Sequence, residues 1–250
     1  MHYKKLWTDL HSNIHHNQMG ELNQWIEHAK KTVDFWPVAY YPFYMKRTET
    51  GAGLEDLYDR EQIEQDWEQL REAVKQQNEA GYPMFMGYEW QGSGEDGDHN
   101  VFFLDNEQPM LHPMRYEELY QAYKDRSAIA IPHHVAYQLG SRGKNWETHR
   151  EAFSPFAEIY SSHGCSENDT GPFDMERHLH MGPRTGETCY ERGREGVSGR
   201  YDCLWRQPQR TGSSRSWNHV RAGSGRLKGG DLGRPVKPPG IWRQQKPYGY

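Results

Sequence analysis

Short runs of aliphatic and aromatic residues alternate with segments whose apolar residues recur every three or four positions, from Leu6 to about Tyr160. That order points to α/β architecture, because strands interspersed with helices able to cover a sheet face build it. Leu6–Leu10, Phe35–Tyr41, Met84–Tyr88, Val101–Leu104, Ala128–Ile131 and Ala157–Tyr160 read as strands. Leu22, Trp25, Ile26 and Ala29 mark a first amphipathic helix. Ile63, Trp67, Leu70 and Val74 mark a long second helix, with Asp59 and Gln62 in capping positions and a stop at Gly81 and Pro83. Tyr116–Lys124 reads as a third helix. Pro37 argues for an irregular or edge position of its strand. The sheet is expected to be largely parallel, open or closed into a barrel.

Composition narrows the function classes. At 250 residues the chain fits one barrel-sized domain. No run approaches eighteen apolar residues, and the opening MHYKKLWTDL lacks the apolar stretch of a secretory signal, so the expected location is cytoplasmic, with no membrane partner. Three scattered cysteines, Cys165, Cys189 and Cys203, do not make a disulfide framework or a zinc knuckle. The net charge of -5 conceals two different parts: residues 181–250 hold 14 Lys+Arg against 5 Asp+Glu, leaving 16 against 30 for residues 1–180.

The histidines gather where predicted strands end. Asp9-Leu10-His11, Asp98-His99-Asn100, Pro132-His133-His134 and Ser162-His163-Gly164 each follow or flank one, and Glu89 and Glu158 lie at two more ends. Side chains at the C-terminal ends of parallel strands converge on one face, so groups remote in sequence can meet. Imidazole together with carboxylate is the ligand set of zinc, manganese or iron, and such a site turns water into a nucleophile near neutral pH. A single histidine is more often a surface or hydrogen-bonded core residue, and His28 and His112 are read that way. Glu89, Glu158 or the unligated His134 are the candidates for proton transfer.

The order and wording of these segments resemble one family. DLHSNIHH is similar to the opening metal motif of the PHP (polymerase and histidinol phosphatase) superfamily, and GYEWQG, DHNVFFLD, IPHH and EIYSSHGCSEND resemble, in that order, later segments of a branch carried as domains of unknown function. The resemblance covers about residues 3–184. It implies a distorted (β/α)7 barrel with up to three divalent metals at the C-terminal face, and hydrolysis of phosphoesters or a related ester. Position by position it implies His11 as leading ligand, Glu89 as bridging carboxylate, and His133 and His163 as later ligands, with Asp9 and His99 fitting less closely. The usual second histidine of the first motif is Asn13 here, so either His15 or His16 substitutes or one metal is absent. AYYPF replaces the usual Asp-His after the second strand. One or two ions are therefore expected sooner than three.

From about Thr185 apolar periodicity is lost, so residues 1–184 are read as the hydrolase domain and 185–250 as an irregular basic tail rich in Gly, Arg, Ser and Pro. Two readings of the tail stay open: a basic nucleic-acid-binding arm, which is the weaker, and an out-of-frame segment. Read one base further on, the codons allowed for Cys203 to Thr211 can encode V-S-G-D-N-H-S-G, which contains the Asp-x-His motif expected of the resemblance and missing here. A barrel without that part would be incomplete at its C-terminus and would expose an edge through which copies associate. The expected substrate is a small or carbohydrate-linked molecule, with Tyr40, Trp90 and Asn100 as candidate contacts and Trp36, Tyr41, Tyr88 and Trp146 as further cleft aromatics. The alternative function is a catalytically silent metal- or ligand-binding remnant.

Overall fold

The computed structural model describes residues 6–47, 53–161 and 163–166, together with 201–202 and 224–225. Its centre is a five-stranded sheet of β1 (Ser12–His15), β2 (Trp36–Tyr41), β5 (Met84–Trp90), β6 (His99–Phe103) and β7 (Ala128–Pro132), in the order β1-β2-β5-β6-β7. A hairpin of β3 (Phe43–Arg47) and β4 (Gly53–Leu57) leaves the end of β2. The helices are α1 (Leu22–Thr32), α2 (Arg60–Glu79) and α3 (Tyr116–Tyr123). The short pair β8 (Tyr160–Ser161) and β9 (Gly164–Cys165) follows, and Tyr201–Asp202 pairs antiparallel with Ser224–Gly225. No helix among the described residues is long and apolar enough to cross a membrane.

The helices form where periodicity and caps agree. Asp59 accepts from the Gln62 N–H at 2.9 Å and starts α2, and Gly81, at φ +86°, lies just beyond its end. α1 buries Leu22, Ile26 and Ala29, α2 buries Trp67, Leu70 and Val74, and α3 buries Tyr116, Leu119 and Tyr123. They pack against Ile14, Trp36, Val38, Tyr40, Met84, Met86, Tyr88, Trp90, Val101, Phe103 and Ala130, which are alternate residues of the five strands. With a side-chain period of two, the intervening residues must face the other way. That second face carries Asn13, Ala39, Tyr41, Gly87, Glu89, Asn100, Phe102 and Ile131. Among the described residues it holds a small apolar cluster, Ala39, Phe102 and Ile131, packed by Leu10, Ile129 and Phe156.

Several expectations are corrected. The sheet is mixed: β1, β2 and β5 are parallel, but β6 runs antiparallel to both β5 and β7. Leu6–Leu10 is not a sheet strand; the first strand begins two residues later, at Ser12. β2 is interior in spite of Pro37. The register pairs Ser12 with Val38, so one step back sets His11 against Pro37, which has no N–H to offer Leu10 O. Leu10 O accepts instead from Asn100 Nδ2 at 3.1 Å. Ala157–Tyr160 is extended beside β7, tied by Glu158 N–H to Pro132 O at 2.9 Å, with ladder pairing confined to Tyr160 and Ser161. The β3–β4 hairpin has no counterpart in the sequence reading. Residues 185–250, including Cys203 to Thr211, and Ser162 lie outside the described residues, apart from Tyr201–Asp202 and Ser224–Gly225.

Candidate metal centre

Three segments bring His11, Glu89 and His133 together on the sheet face opposite the helices. Glu89 is the sixth residue of β5, His133 directly follows β7, and His11 precedes β1. Release from the β2 ladder at Pro37 leaves Asp9–His11 free to turn. Asp9 Oδ1 accepts the His11 N–H at 2.8 Å, an Asx-type turn, and the Asn100 bond to Leu10 O draws the turn across the face. His133 N–H donates to Asp98 O at 3.0 Å, and the next residue, His134, takes a left-handed backbone at φ +52°.

His11 Nε2 lies 3.6 Å from Glu89 Oε2, and His133 Nε2 lies 3.5 Å from Glu89 Oε1. One ligand atom from each of the three residues falls within 4.8 Å of the others. An ion held tetrahedrally at about 2.0–2.1 Å by each ligand separates them by roughly 3.4 Å, so the spacing suits a single ion. The three side chains are 3%, 2% and 1% exposed, and among the described residues neither ring nitrogen of His133 has a hydrogen-bond partner. Leaving such a group buried and unsatisfied costs about 1–3 kcal/mol, a cost that ligation would remove at Nε2. His11 Nδ1 is hydrogen-bonded to Glu158 Oε2. That partner fixes the tautomer that presents Nε2 to the centre, as outer carboxylates do for metal-bound imidazoles. The residues therefore fit a divalent transition ion, and a buried His/Glu/His group can bind one.

Electrostatics agree with that ligand set. Burial alone would raise the Glu89 carboxyl, but the neighbouring imidazoles of His133 and His11 outweigh it and hold Glu89 well below the usual carboxylate range. Burial, helped by the charge of His11, lowers His133, and burial lowers His134 strongly. Both are thereby kept neutral, the form in which imidazole ligates. Glu89 also accepts from Asn13 Nδ2 at 2.6 Å and Gln91 Nε2 at 3.2 Å.

The other candidates are placed as follows. Asp9 fixes the turn, and Glu158 holds His11. His134 lies beside the centre, its ring edge-on to that of His133 at 4.7 Å and 5.9 Å from that of His11. His163 lies 4.1 Å from His134 and bonds Tyr137 OH through Nδ1 at 2.7 Å. His15 packs on Tyr41, with rings 4.5 Å apart, at the far end of β1. His16 Nδ1 pairs with Asp66 at 2.6 Å.

His99 sits at the same end of the sheet, because β6 begins where β5 ends, but its parity turns it to the helix face. There its Nδ1 is 2.8 Å from Gly97 O, its Nε2 is 3.2 Å from Lys144 Nζ, and its ring stacks on Tyr116. Tyr40 and Trp90 belong to the main core, with their polar atoms on Asp66 and Pro113 O. Trp36 and Tyr88 lie in the same core, and Trp146 packs with Val135, Ala157, Ile159 and Cys165. Asn100 is on the site face, opposite Glu89 in register.

Sequence reasoning missed Arg142, Asp98, Gln91 and Lys144. Arg142 Nε donates to Asp98 Oδ2, and its Nη1 and Nη2 lie 3.5 Å from Glu55 and 3.6 Å from Glu89. Burial, partly opposed by Arg142 and reinforced by Glu89, raises Asp98 to about 7. The available signal for Gln91 was the period of two, since Glu89 and Gln91 share a face. No pattern in the chain marks Arg142.

Among known proteins, no family model matches the chain, and no curated protein matches it. A solved structure that is similar is that of a two-domain protein from Bacteroides vulgatus described as containing a predicted PHP-like metal-dependent phosphoesterase. The likeness is distant, at 16% identity and a TM-score of 0.40, and covers 65% of this chain and 46% of that one. The chain thus spans less than half the length of that protein.

Proposed function

We propose that the protein is a metal-dependent hydrolase of the phosphoesterase kind, with its centre at His11, Glu89 and His133. The observation that carries this reading is the buried His/Glu/His group whose spacing suits one ion. When bound, a zinc, manganese or iron ion supplies Lewis acidity toward a phosphoryl or ester oxygen and lowers the pKa of water near it. His11 and His133 offer ring nitrogens, and Glu89 offers the negative charge. Glu158 holds the proton on His11 Nδ1 and so keeps Nε2 turned to the centre. His134, beside His133 and with the His163 ring 4.1 Å beyond it, is the candidate proton acceptor of the site. A distorted PHP-type barrel and a small or carbohydrate-linked ester as substrate belong to the same proposal.

The near-complete burial of all three ligand groups favours a second reading, a protein that binds metal without turnover. Hydrolysis of bis(4-nitrophenyl) phosphate and 4-nitrophenyl phosphate by zinc- or manganese-loaded protein separates the two. Turnover that chelation abolishes and His133→Ala removes is the expected result. Metal uptake with no turnover of either ester establishes the second reading.

A further inference from the structure

We propose that Arg142 is the anion-receiving residue of this site, taking a phosphoryl oxyanion on its Nη1/Nη2 fork, with Glu55 holding that place until the anion displaces it. The inference rests on the hydrolase reading for the identity of the anion. The loop around Arg142 is shaped to present this side chain. Arg142 itself is in the left-handed region at φ +74°, which a residue other than glycine adopts only where the surrounding structure holds it there. Gly140 lies at φ +81°, and a Cβ on Gly143 would fall 1.8 Å from Tyr137 O, so the turn closes too tightly for other residues. The guanidinium is then anchored by one end only. Its Nε donates to Asp98 Oδ2, and Asp98 is fully buried and accepts the His133 N–H through its carbonyl, which ties the arginine to the segment that supplies a candidate ligand.

The other end is held differently. Nη1 is 3.5 Å from Glu55 Oε2 and Nη2 is 3.6 Å from Glu89 Oε1, near enough for attraction and too far for well-formed hydrogen bonds. Glu89 is buried within the centre, whereas Glu55 is 26% exposed on the hairpin and Arg142 is 21% exposed. The fork therefore lies at the rim between solvent and Glu89, and one of its two partners there is a carboxylate at the surface. A planar fork with two parallel N–H donors matches phosphate oxygens, which makes arginine suited to the task. Lys144, the nearby buried cation, is on the helix face with His99 and does not compete.

The test is calorimetric titration of inorganic phosphate into metal-free and zinc-loaded full-length protein, comparing wild type, Arg142→Lys and Glu55→Gln. Loss of the fork in Arg142→Lys should weaken phosphate binding about tenfold or more, although the charge is kept. Glu55→Gln should tighten it, because the competing carboxylate is gone; a purely structural ion pair predicts no gain. An unchanged Kd in Arg142→Lys, or weaker binding in Glu55→Gln, overturns the proposal. Phenylglyoxal labelling of wild type, read by mass spectrometry at Arg142, supplies a variant-free arm: phosphate should protect the residue, and absence of protection counts against it. If no metal binds at all, the hydrolase reading fails, while the metal-free titration still decides the role of Arg142.

Discussion

Lys144 is 2% exposed on the helix side of the sheet, with Nζ 3.2 Å from His99 Nε2 and 4.0 Å above the Tyr116 ring. Burial lowers its ammonium from 10.5 to about 7, with Asp96 opposing the shift. Between those values the unfolded chain binds a proton that the folded chain does not, so stability rises with pH through that window and is flat below it. Each unit corresponds to about 1.4 kcal/mol, so the slope between pH 7 and 9 amounts to about 3 kcal/mol. Lys144→Met removes that slope. Relative to wild type the variant should gain stability at pH 6 and 7, offset by about 1–2 kcal/mol of lost cation–π contact. The advantage should then shrink by about 3 kcal/mol on going from pH 7 to pH 9. Urea unfolding of metal-free protein followed by tryptophan fluorescence at pH 6, 7, 8 and 9 measures this, since other titrating groups largely cancel in the difference. A difference that is independent of pH, or that grows toward pH 9, refutes the burial argument.

Glu158→Gln should weaken zinc binding roughly 10–100-fold by loosening the partner of His11 Nδ1, measured by competition with a chromogenic chelator. Gly87→Ala should destabilise the fold by about 1–3 kcal/mol in urea, because the added Cβ would meet the Phe102 ring at 2.2 Å. Asp59→Ala should cost about 1 kcal/mol through loss of the α2 cap, also read in urea.

Much of the sheet was legible because its residues obey a period of two and its helices a period near three and a half. Trp67, Leu70 and Val74 could be set on one face of α2 from spacing alone. Strand direction was not legible, because the Gln91–Asp98 loop does not state whether β6 returns antiparallel or crosses over. That ambiguity mattered little for position and much for orientation: His99 reaches the right end of the sheet but faces the helices, while Asn100 faces the site. His11, Glu89 and His133 were readable as chemistry-bearing residues at strand ends. The role of Glu158 beside His11 was not, because it depends on contact between residues 147 positions apart. Tyr40 and Trp90 looked like cleft aromatics, yet β2 and β5 turn them into the core by the same alternation that turns Glu89 out.

Metal uptake tests the centre most directly. Isothermal titration of zinc into chelator-treated full-length protein should give one ion per chain, with binding lost in His11→Ala and in His133→Ala and kept in His16→Ala, whose histidine pairs with Asp66 instead. Equal uptake by wild type and both ligand variants, or no uptake by wild type, would contradict the assignment of His11, Glu89 and His133 as a metal centre.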